Sequence, residues 1–127
     1  MKKIMFILIF VTFNAMASFT GHWSNENNSN SFSLDLVKDG SNLTGKYCFI
    51  TNGGDRIDCS ERNNINGIVK GHTSVVTFES EFGGDGEASL SVDNNTLTFT
   101  ISNYSPFINA NMSVPKTIVF KKDPDKK

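Results

Sequence analysis

The chain has 127 residues, with 12 Lys and Arg against 13 Asp and Glu, a formal net charge of −1, two cysteines and one tryptophan. Lys2 and Lys3 head a segment read below as a leader, and without them the net charge falls to about −3, which argues against nucleic acid or an anionic membrane as partner. The length suffices for one domain with one core, and not for two.

At the N-terminus, Lys2 and Lys3 precede the nearly uncharged apolar run Ile4 to Phe13, and Ala15-Met16-Ala17 forms a small-x-small cleavage site before Ser18. This order predicts a signal peptide over residues 1–17. The apolar run is shorter than the roughly 20 residues that a membrane-spanning helix needs. The first cysteine after the site is Cys48, so the new N-terminus offers no thiol for a lipid anchor. The expected product is a soluble periplasmic or secreted protein with no stable membrane anchor.

After the leader the hydrophobic period is two, and no helical period is read. Thr20 to Ser24 predicts a first strand. In Ser31 to Val37, Phe32, Leu34 and Leu36 alternate with Ser33 and Asp35, a strand with one dry face. Lys38-Asp39-Gly40-Ser41 turns the chain, and Leu43 to Ile50 returns beside it. Ile65 to Val69 and Thr73 to Ser80 form a second predicted hairpin, and Ala88 to Val92 with Thr96 to Asn103 a third. Lys116 to Lys121 closes the series, and residues 122–127 read as a charged flexible tail. Two connections exceed hairpin length, Thr51 to Asn64 and Tyr104 to Pro115.

About eight strands in sequential hairpins predict an all-β domain over residues 18–121, an antiparallel up-and-down β-barrel whose closure removes exposed edges. A β-sandwich is the alternative, although it calls for longer crossovers.

Cys48 and Cys59 are expected to form one structural disulfide in an oxidising compartment, worth about 3 kcal/mol through the loop it closes. No metal site is expected from them, because His22 and His72 sit near no C-x-x-C pair. Catalytic chemistry is thinly represented. No serine stands in a G-x-S-x-G elbow. Glu79 and Glu81 share an alternation face opposite Phe78, Ser80 and Phe82, which assigns them to the wet side. Phe82-Gly83-Gly84-Asp85-Gly86 lacks the helix or the Lys-Ser/Thr pair of a phosphate loop and reads as a turn or bulge. Glu79, Glu81, Asp85 and Glu87 suggest calcium by their charge, but match no EF-hand spacing.

Phe19-Thr20-Gly21-His22-Trp23-Ser24-Asn25, followed by Leu43-Thr44-Gly45-Lys46-Tyr47, resembles the first hairpin of the avidin family, and Gly21-x-Trp23 also looks like the opening of lipocalins. The resemblance covers about the first third of the mature chain. It implies an eight-stranded antiparallel barrel with Trp23 plugging one end, and Asn25 and Tyr47 as ligand-binding groups. Avidins bring further tryptophans to biotin, whereas Trp23 stands alone here.

The function expected is that of an exported, non-enzymatic binding protein needing no cofactor, a periplasmic inhibitor or immunity protein that blocks a toxin or hydrolase. The disulfide-braced loop would supply the contact through Asn52, Asp55, Arg56 and Asp58, with Tyr104 and Phe107 from the second long loop. Two alternatives stay open: a small-ligand carrier using Trp23, Asn25 and Tyr47, and an extracytoplasmic enzyme dependent on His22 or His72.

Overall fold

The computed structural model describes residues 18–124, so the predicted leader and the end of the predicted tail lie outside the described residues. Nine strands follow in order: β1 (Gly21–Glu26), β2 (Ser31–Asp39), β3 (Asn42–Thr51), β4 (Arg56–Cys59), β5 (Ile65–Lys70), β6 (Thr73–Glu79), β7 (Asp85–Asp93), β8 (Thr96–Asn103) and β9 (Thr117–Lys122). One short helix, α1 (Ser105–Asn109), lies between β8 and β9.

Eight of these strands close an antiparallel up-and-down barrel, running β1, β2, β3, β5, β6, β7, β8, β9 and back to β1. The ninth, β4, is an extra strand. It pairs with Cys48 to Thr51 of β3, whereas β5 takes Asn42 to Gly45 of the same strand. The barrel is therefore the architecture, rather than a sandwich, and what read as a loop from Thr51 to Asn64 contains a strand. The predicted tail also begins later, since Lys122 still belongs to β9.

The alternation read from sequence is the alternation of burial. Trp23, Phe32, Leu34, Leu36, Leu43, Tyr47 and Phe49 all point inward and are buried, as are Phe78, Leu90, Leu97, Phe99 and Phe120 on the far wall. Phe49 lies centrally, stacked on Tyr47 at 4.3 Å between ring centroids and edge-on to Phe32 at 5.3 Å and Phe99 at 6.0 Å. Such offset and T-shaped contacts add to the burial of each ring. One glycine makes room for this column: a Cβ on Gly86 would stand 2.2 Å from the Phe78 ring across the β6–β7 ladder.

The two barrel ends differ. At the end where the chain enters, tight turns such as Gly71-His72 join the strands, Gly71 taking φ +62°. There Phe19 folds over the opening, and the Trp23 indole N–H donates to its carbonyl oxygen at 2.9 Å. The opposite end carries the β3–β4 tip, the β6–β7 turn and α1, and it holds the candidate site.

Candidate functional site

The β3–β4 hairpin is clamped at its base by the disulfide predicted from sequence. Cys48 and Cys59 are directly paired residues of adjacent strands, half-buried on the outer wall. Since Cys59 faces outward, alternation turns Asp58 inward, and its carboxylate is fully buried. Oδ2 accepts from the Tyr47 hydroxyl and the Ser80 hydroxyl, each at 2.8 Å, and Oδ1 from the Glu81 amide at 3.0 Å. This carboxylate thereby joins β3 and β4 to the β6–β7 turn. Burial, with the neighbouring Asp58 charge adding to it, pushes the Tyr47 phenol far above its usual range, so Tyr47 acts here as a neutral donor.

The second long segment folds over the same end. Pro106 occupies the first turn of α1, where its missing N–H costs nothing. Phe107 drops into the barrel mouth, stacked on Phe78 at 5.3 Å and within 5.9 Å of Phe49. The Thr51 hydroxyl donates to the Met112 carbonyl, and the Tyr104 hydroxyl to the Val114 carbonyl. Burial raises the Tyr104 phenol as well. The β6–β7 turn lies against α1, an added Gly84 Cβ reaching Pro106 at 3.8 Å. The β3–β4 tip is tied to the β1–β2 turn by the Gly53 amide, 2.8 Å from the Ser29 carbonyl.

What this end shows to solvent is a mixture of polar tip and isolated apolar groups. Asn52 and Asp55 are exposed at the tip and Arg56 is half-buried. Ile108 on α1 is 65% exposed, Phe82 on the β6–β7 turn 54% and Ile57 on the outer face of β4 53%. Of the six residues expected to meet a partner, two are corrected. Asp58 is internal and holds the end together, and Phe107 is the plug of the barrel. Tyr104 is half-buried beneath the same segment. Phe82, expected inward, points out because the turn in which the Ser80 amide donates to the Gly84 carbonyl at 3.0 Å breaks the alternation before it.

The residues named by the avidin-like hairpin are each bound to the protein itself. Trp23 is closed over by Phe19, the Asn25 amide donates to the Val119 carbonyl at 2.7 Å, and Tyr47 donates to Asp58. The histidines lie apart. His22 is on the outer wall with Nδ1 2.5 Å from Asp35 and Nε2 3.3 Å from Asp123, while His72 sits in the β5–β6 turn.

No family model matches this chain, and no curated protein or solved structure matches it.

Proposed function

We propose that this is an exported, non-enzymatic binding protein of the periplasm that inhibits another protein, as an inhibitor or immunity factor, through the α1 end of its barrel. The observation that carries the reading is the exposure of Phe82 and Ile108 on segments that are each fastened to the body. Isolated apolar side chains on held backbone suit insertion into a partner's cleft, because little conformational freedom is lost on binding. The polar tip Asn52 to Asp55 and Arg56 would form the rim, where hydrogen bonds set orientation. A cleft-bearing hydrolase or toxin is the partner of matching shape. Carriage of a small molecule within the barrel would require displacing the aromatic column around Phe49.

The test is comparative capture. The protein is immobilised by its chain-entry end and presented with a periplasmic or extracellular extract, beside a Phe82→Ser, Ile108→Ser variant. The expected result is one protein retained by the wild type, lost by the variant, and enzymatically silenced when bound. Equal retention by both forms, or copurification of a small molecule without any protein, would overturn the proposal.

A further inference from the structure

The outer wall of the barrel around β5 and β6 is nearly without charge. Alternation turns Ile68 outward on β5 and Val75 outward on β6, and the ladder sets the two directly opposite each other. Their row continues to Asn42 of β3 on one side and to Ser89 of β7 and Thr100 of β8 on the other, crossing five strands without a charged side chain. Ile68 is 50% exposed and Val75 58%, so two adjacent aliphatic groups stand in water at the middle of this field. A lone exposed aliphatic needs no account, whereas a cross-strand pair within an uncharged field gains from being covered.

The two charges that border the field have opposite sign and symmetrical places. Lys70 is the partner of Thr73, on the β5 side and two residues along β6 from Val75. Glu87 is the partner of Thr77, on the β7 side and two residues along β6 in the other direction. Val75 is therefore the midpoint of the line that joins them. Both charged residues are exposed, and the ion pairs among the described residues both belong to His22, so neither charge is matched within the chain.

We propose that this wall is the interface of a two-fold homodimer with Val75 on the axis. A two-fold contact sets the same patch of both copies face to face, and the patch must complement itself. An axis through Val75, at right angles to the line from Lys70 to Glu87, brings Lys70 of each copy onto Glu87 of the other. Two reciprocal ion pairs then flank an aliphatic centre made of Val75 and Ile68 from both copies. The relief of the wall suits this arrangement. Ile68 stands between a hollow of about 370 Å³ lined by Ile68, Lys70, Thr73, Ser74 and Val75 and one of about 450 Å³ lined by Asn42, Leu43, Thr44, Asn66, Gly67 and Ile68. A projection beside a recess is the shape that can receive its own copy. Five strands about 4.8 Å apart and three outward rows about 6.8 Å apart give a field of at most about 500 Å² per copy. A total of about 1,000 Å² lies at the lower bound of specific interfaces, so the dimer is weak and reversible. This surface is on the side wall, and the proposal does not rest on the contact at the α1 end.

Sedimentation velocity of the purified protein, from about 10⁻⁶ to 10⁻³ M, tests this. The expected result is a reversible monomer–dimer equilibrium with Kd of about 10⁻⁵ M. Val75→Lys should weaken it about tenfold or more by setting two cations against each other on the axis. Lys70→Glu and Glu87→Lys should each weaken self-association, while an equal mixture of the two single variants should associate as well as wild type, because every facing pair in the mixed dimer is again of opposite sign. All three positions are exposed, and circular dichroism checks that each variant keeps the wild-type β spectrum. A monomer at every concentration, growth beyond the dimer, undiminished association of Val75→Lys, or a mixture no tighter than its components would each overturn the interface.

Discussion

The Tyr47 hydroxyl donates to the carboxylate of Asp58 at 2.8 Å, and both residues are closed to solvent. Asp58 thus ends on three donors, and removing it orphans all three. Asp58→Ala should cost about 3 kcal/mol or more, since each buried donor left unpaired costs about 1–3 kcal/mol. Asp58→Asn keeps an acceptor and should cost less. Urea denaturation of the two variants, both folded in the absence of denaturant, measures the order.

The Tyr47 phenol also sets an alkaline limit. Its folded form holds the proton well above the ordinary value of 10.0, whereas the unfolded chain releases it near that value. Above about pH 10 the unfolded state therefore binds fewer protons, and stability falls as pH rises; below that pH the contribution is complete. Between about pH 10 and 11.5 the wild type should lose up to about 1.4 kcal/mol per pH unit more than Tyr47→Phe. The raised Tyr104 phenol is common to both proteins and drops out of the comparison.

The disulfide spans a sequence separation of 11 residues. Replacing both cysteines by serine should lower stability by about 3 kcal/mol on the loop-entropy account. The effect on the proposed contact should be separate and visible as a faster dissociation from the captured partner, because the β3–β4 tip would lose its clamp.

Gly86 and Phe78 form a pair in which one residue's missing side chain holds the other's ring. Gly86→Ala should destabilise by about 1–3 kcal/mol through overpacking. Trimming the ring with Phe78→Leu in the same chain should return part of that loss. A double-mutant cycle by thermal or urea unfolding checks the coupling.

Ile108 is exposed on α1 while its neighbour Phe107 is buried. Ile108→Ser should change stability by no more than about 0.5 kcal/mol, and Phe107→Ala should cost about 3–5 kcal/mol. Chemical denaturation separates a surface residue from a plug.

The barrel was legible because its signal is redundant: each strand repeats the same two-residue period, and hairpins leave few ways to arrange them. β4 was hidden because four residues between a turn and a disulfide carry too little alternation to stand out. The direction of Asp58 was nonetheless implicit, since pairing Cys48 with Cys59 across adjacent strands puts the residue before Cys59 on the inner face. The five-residue helix α1 is too short for a 3.6-residue period, and only Ser105-Pro106 marked a helix start. Phe82 was misplaced because the period was carried past Ser80, where the chain turns.

The seam between β1 and β9 joins the earliest strand of the ring to the latest, with Trp23 opposite Lys122 and Ser24 opposite Lys121. Until that seam forms, the sheet is a curled ribbon with two bare margins and its aromatic interior half unroofed. Completion of the ring therefore waits for the final strand, a long-range step of the kind that slows folding. A chain cut before Thr117 would keep both margins open and be prone to associate with its own copies.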